Sequence, residues 1–133
     1  MKDLMKSNIY EAEQKFIVVG SCLKAMQPLA FNSLENLNLP IFEVCLEQSH
    51  INMVITKILG MIRASKAQEI IFATVDKSPH CIQMHYIQDE LKKLGFNLKY
   101  TNYVAANNKL QQIDEKTISL SKNLSELAKI NKD

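Results

Sequence analysis

No block of like charge in this sequence is long enough to grip a phosphate backbone. Sixteen Lys and Arg side chains stand against fourteen Asp and Glu, leaving a formal charge of +2. The electrostatic footprint of nucleic-acid binding is therefore missing, and no nucleic-acid partner is expected. Long apolar runs are missing too. The run Ile70 to Val75 is among the longest and falls far short of the roughly 20 residues that cross a bilayer. The opening Met1-Lys2-Asp3-Leu4-Met5-Lys6 has no apolar stretch of the secretory kind, so a cytoplasmic location without membrane partners is expected. Cysteines are few and odd in number. Cys22, Cys45 and Cys81 have no close pairing, which argues against a disulfide framework and for a reducing compartment.

The common catalytic fingerprints are also lacking. There is no Gly-x-Gly-x-x-Gly, no phosphate loop ending in Gly-Lys-Ser/Thr, no Cys-x-x-Cys and no Gly-x-Ser-x-Gly elbow. Dinucleotide-binding, nucleotide-hydrolysing, thioredoxin-like and hydrolase assignments consequently have nothing to rest on. Whether the chain is an enzyme stays open at this level.

What remains is an ordinary globular sequence of 133 residues, long enough to bury a core without covalent staples. It reads as a single domain over 1–133, with a loose segment at 1–15 and a polar linker plus a last helix over 105–133. Four apolar runs recur through it: Phe16 to Gly20, Ile41 to Leu46, Glu69 to Val75 and Leu98 to Val104. Helical segments separate them, which is the alternation of a parallel sheet. The first and third runs are apolar on both faces, as central strands covered on each side must be. Glu43 in the second, and Lys99, Thr101 and Asn102 in the fourth, mark those two as edges. The expected fold is an α/β, three-layer, doubly wound sheet of about four strands in the order 2-1-3-4, flavodoxin-like or Rossmann-like.

The helices follow from caps and periodicity. Ser49 is a suitable N-cap for a helix to about Ala67, with Ile51, Val54, Ile55, Ile58, Leu59 and Ile62 on one stripe. Ser78 and Pro79 predict the start of another, closed by Gly95. Pro28 opens a shorter one, leaving Ser21 to Gln27 as a loop after the first run. Leu120, Leu124 and Leu127 form the stripe of a last helix that covers the sheet or joins two protomers, hence an expected homo-oligomer.

All cysteines and two of the three histidines fall just after strand ends, where ligands bind in such sheets. Gly20, Ser21 and Cys22 follow the first run; Cys45 and His50 follow the second; Asp76, Ser78, His80 and Cys81 follow the third. Cys81 is predicted in the first turn of the helix capped by Ser78, where free backbone amides favour a thiolate. Cys81, Cys22, His80 and Asp76 are the expected catalytic set. Gly20, Ser21 and Ser78 are the expected ligand-binding set. Cys81 and His85, four apart, share a helix flank and with Cys22 make a candidate metal set, suited to a transition metal or an iron–sulfur cluster.

The leading expectation is a cysteine- and histidine-centred site at the ends of the first and third strands, for sulfur or electron transfer or for metal or cluster binding. Its partner would be a small molecule or another protein. Two alternatives stand beside it: a non-catalytic module that holds an anionic ligand at the Ser78 cap, and an oligomeric accessory subunit.

Overall fold

The computed structural model describes residues 1–131. In chain order its elements are β1 (Lys2–Asp3), a 3-10 turn (Ile9–Glu11), β2 (Lys15–Gly20), α1 (Leu23–Met26), α2 (Pro28–Glu35), β3 (Ile41–Val44), α3 (Ile51–Ser65), β4 (Glu69–Val75), α4 (Gln83–Lys93), β5 (Lys99–Ala106), β6 (Lys109–Ile113), α5 (Glu115–Ser121) and α6 (Leu124–Ile130). One mostly parallel sheet runs β1-β3-β2-β4-β5-β6. The fold is thus the α/β class expected, with the four-strand order embedded in it.

The strand count differs from expectation at both edges. β1 adds two parallel pairs beside β3, Lys2 with Phe42 and Asp3 with Glu43. The Asp3 carboxylate accepts from the Met5 amide at 2.9 Å and Leu4 is fully buried, so the opening segment is anchored rather than loose. At the other edge the polar stretch after Val104 folds back as β6, antiparallel to β5, through a turn in which Asn107 and Asn108 both take left-handed φ values. Asparagine tolerates that region better than most residues, and two such residues in a row make a tight hairpin turn. Neither β3 nor β5 is an edge.

Alternation divides the core between two faces. Phe16, Val18, Ile70 and Phe72 meet Val54, Ile58 and Met61 of α3 and Met84, Ile87 and Leu91 of α4. Ile17, Val19, Ile71 and Ala73 meet Leu23, Phe31 and Leu34 of α1 and α2. Each such large side chain, removed from water, contributes about 1.5–3 kcal/mol before chain entropy is subtracted. Phe16 and Phe42 add an edge-to-face contact at 5.9 Å between ring centres.

Besides the start of α4, three helix boundaries differ from the sequence reading. His50, not Ser49, caps α3, its Nδ1 accepting from the Asn52 amide at 3.2 Å. The segment after β2 contains the helical turn α1 instead of an open loop. The last helix breaks at Lys122 and Asn123 into α5 and α6 because Asn123 caps a new start; Leu120, Leu124 and Leu127 therefore form no continuous stripe. The prediction for Pro28 stands, as it occupies the first turn of α2. Gly95 takes a φ of 94° just past α4, and the Phe96 amide reaches back to the Leu91 carbonyl at 3.0 Å, closing that helix as expected. Among the described residues no helix is long and apolar enough to cross a membrane.

Candidate functional site

From β2 the chain winds to β3 on one side, then crosses by α3 to β4 on the other. The winding reverses between β2 and β4, and two cysteines lie beyond the carboxyl ends of those strands. Cys22 Sγ and Cys81 Sγ are 3.9 Å apart. Cys81 is 8% exposed and Cys22 is half-buried. Gly20 makes the approach feasible, because a Cβ at that position would lie 2.8 Å from Cys81 Sγ. The expected ligand-binding Gly20 thus serves to admit a sulfur atom. The Ser21 amide is taken up by the Val44 carbonyl at 3.0 Å, which ties the loop to β3.

Burial pushes the Cys22 thiol above its ordinary value of 9.0, and the neighbouring Cys81 adds to the shift. Cys45 is close enough to contribute a smaller rise in the same direction. At neutral pH Cys22 is accordingly a protonated thiol.

The helix after β4 starts later than expected, and this revises several roles. α4 begins at Gln83, preceded by a turn in which Ser78 Oγ accepts from the Cys81 amide at 3.2 Å. Cys81 therefore lies before the helix rather than in its first turn, and the Ser78 cap is already occupied. His80 is exposed in that turn and shares no face with the buried residues of α4. Asp76 is exposed at the mouth of a neighbouring cleft, with its amide held by the Ala105 carbonyl at 3.0 Å. His50 is committed to its cap.

His85 does not join the cysteines. It is 2% exposed and both ring nitrogens are engaged, Nε2 with Thr74 Oγ1 at 2.6 Å and Nδ1 with Asn102 Oδ1 at 2.8 Å. Asn102 Nδ2 donates to Gln88 Oε1 at 2.7 Å, which leaves its oxygen as the atom facing the imidazole. With the amide in that orientation, Nδ1 carries the hydrogen and Thr74 donates to a bare Nε2. The candidate metal set of Cys22, Cys81 and His85 is not assembled. Among the described residues no group of three or more His, Cys, Asp or Glu side chains is placed to hold a metal ion.

This Thr74–His85–Asn102–Gln88 chain has no counterpart in the sequence reading. β4 and β5 pair Phe72 with Asn102 and Thr74 with Val104, so these strands deliver Thr74 and Asn102 to the His85 and Gln88 side chains of α4. The signal in the sequence was Thr74 itself, a hydroxyl inside an otherwise apolar central run.

Burial also lowers the His85 pKa below its ordinary 6.5, outweighing the opposite pull of the Asn102 hydrogen bond. The folded protein then binds that proton more weakly than the unfolded chain, so stability rises with pH across this range. The contribution is complete above about pH 6.5 and is lost as pH falls from there toward the lowered folded value. Urea midpoints measured through that interval should fall with acidity, and the His85→Gln variant should show a smaller slope. An equal slope in the variant would assign the effect elsewhere.

Neither the curated proteins nor the solved structures give a match to this sequence. A family model described as a Rossmann-like domain does, over residues 10–132. That span holds every strand but β1, both cysteines of the close pair and the helix that carries His85. By that match and by its doubly wound sheet, the chain belongs to the Rossmann-like domain family.

Proposed function

We propose that Cys22 and Cys81 form a reversible dithiol/disulfide pair through which the domain exchanges electrons with a small-molecule or protein disulfide. The sulfur separation of 3.9 Å at the point where the sheet winding reverses carries this reading. A disulfide needs about 2.05 Å between sulfurs, so closure asks for a movement of roughly two ångströms in a loop and a turn. The absence of a third ligand beside the two sulfurs among the described residues favours thiol exchange over a metal or cluster.

The chemistry balances without a cofactor. Cys22, the more exposed thiol, loses its proton to solvent and attacks one sulfur of a disulfide R–S–S–R′, forming a mixed disulfide and releasing one thiol. Cys81 then attacks the Cys22 sulfur of that adduct, expelling the second thiol and leaving Cys22–S–S–Cys81. Two electrons pass to the partner, and the reverse sequence returns them. Because the Cys22 pKa is raised, the forward step should be slow at neutral pH and accelerate as the solution becomes more alkaline than an ordinary thiol requires.

Equilibrating the protein in glutathione buffers of graded ratio, then alkylating and weighing it, tests the pair. Cys22 and Cys81 should lose their alkylation sites together along a two-electron curve while Cys45 stays alkylated. A persistent glutathione adduct on Cys22 alone, or a bridge that includes Cys45, would refute the assignment.

A further inference from the structure

A second site, independent of the thiol pair, lies on the α4 face of the sheet. Between the β4–α4 turn and α5 is a cleft of about 470 Å³, within the size range of small-molecule sites. Neither Cys22 nor Cys81 lines it. Its walls are largely apolar, with Ile82 from the turn, Val104 and Ile113 from the sheet, and Ile118 from α5. Its mouth carries one carboxylate, Asp76, and one ammonium, Lys77, so it offers no net charge to select an ion.

Four hydroxyls line the cleft. Ser78 accepts from the Cys81 amide and keeps its own hydrogen, whereas Thr74, Thr117 and Ser121 each have theirs committed to the protein. Thr74 donates to His85 Nε2, by the tautomer argued above. Thr117 Oγ1 donates to Asp114 Oδ1 at 2.7 Å, and Ser121 Oγ donates to the Ile118 carbonyl at 2.6 Å. Toward a ligand these oxygens have only lone pairs to give.

The most deeply placed is Thr74, at 1% exposure, held by a histidine whose other nitrogen is fixed by Asn102. Reversing its polarity would require a hydrogen on Nε2, either in a charged ring, which burial opposes, or in the other neutral tautomer, whose bare Nδ1 would face the Asn102 oxygen. The wall opposite is fixed as well, since Tyr86 donates to Ser121 at 3.0 Å and Lys122 pairs with Asp89 at 2.5 Å, joining α5 to α4. A largely apolar cleft lined by a hydroxyl whose polarity is fixed as an acceptor favours a molecule that donates to it.

We infer that this cleft binds an uncharged small molecule with a compact apolar body and a single N–H or O–H group that donates to Thr74 Oγ1. A molecule of the same shape without that hydrogen would leave Thr74 facing carbon and lose the bond.

The isomers 3-methylindole and 1-methylindole make the comparison, because they contain the same atoms and differ in the N–H. Titrated into the isotope-labelled full chain and followed by amide resonances, 3-methylindole should shift Val75, Lys77, Val104 and Ile118. Its Kd should be about tenfold below that of 1-methylindole, the worth of one hydrogen bond. Thr74→Ser keeps the hydroxyl and should keep the preference; Thr74→Val, if its amide spectrum remains native, should reduce it to about twofold or less. Shifts confined to other surfaces, equal affinities for the two isomers in the unaltered protein, or a preference that survives Thr74→Val would overturn the inference. Failure of Thr74→Val to fold leaves the isomer pair and Thr74→Ser to decide.

Discussion

The His85→Ala variant should unfold with a free energy about 3–5 kcal/mol below that of the unaltered protein, the range seen when a large buried side chain is removed and its partners are stranded. Three losses combine. The imidazole volume goes, the Thr74 hydroxyl loses its acceptor, and Asn102 Oδ1 loses its donor. The other three members of the network are buried, Thr74 at 1%, Asn102 at 3% and Gln88 at 1%, and a stranded buried polar group costs about 1–3 kcal/mol by itself. Gln88 Nε2 has no partner among the described residues, so turning this donor toward the stranded Asn102 oxygen would recover part of the loss. Water entering from the cleft would offset part of the loss at Thr74, which sets the lower bound. Urea unfolding of His85→Ala and His85→Gln side by side would check it, with glutamine recovering part of the deficit by engaging one of the two neighbours. A loss below about 1 kcal/mol for alanine, typical of a surface change, would mean that the network is not intact in solution.

Gly20→Ala is expected to act on the other centre. The added carbon would sit 2.8 Å from Cys81 Sγ, closer than carbon and sulfur can pack, so either the thiol or β2 has to shift. Overpacking of this kind costs about 1–3 kcal/mol. It should also displace Cys81 from Cys22 and suppress the disulfide. A double-mutant cycle separates this contact from a general effect on β2: Cys81→Ala removes the sulfur and should relieve most of the cost of Gly20→Ala, giving a coupling that independent sites do not show. Additive losses would place the strain elsewhere.

The central strands were legible because their physics is local. Phe16 to Val19 and Ile70 to Val75 are apolar on both faces, and only a strand covered on both sides reads that way. The placement of Cys22 and Cys81 at a shared rim followed from strand order alone. β6 was not legible, since Lys109-Leu110-Gln111-Gln112-Ile113 buries little and is held by pairing with β5. Its one signal was the Asn107-Asn108 pair, weaker than Asn-Gly. β1 is two residues long and offers no period to detect.

The site was legible in part for a similar reason. A cap motif at Ser78-Pro79 is sound chemistry for starting a helix, yet here it starts a turn. The four-residue delay places His80 in solvent and His85, whose spacing from Cys81 predicts a flank ligand, in the core. Phase along a helix is sensitive to where the helix begins, and a sequence motif does not fix that residue. In the sequence Asn102 reads as the mark of an edge strand. Its partner lies on a helix that packs across β4 and β5, a contact set by tertiary register that no local pattern encodes.

The account rests on two sulfur atoms being neighbours in the folded, reduced protein. A bifunctional thiol reagent such as dibromobimane, which fluoresces once both its arms have reacted with adjacent thiols, examines that proximity without relying on oxidation. Fluorescence with Cys22 and Cys81 joined in one peptide pair, retained in Cys45→Ser and lost in Cys22→Ser and Cys81→Ser, is the expected result. Bridging through Cys45, or two singly labelled cysteines with no bridge, would contradict it.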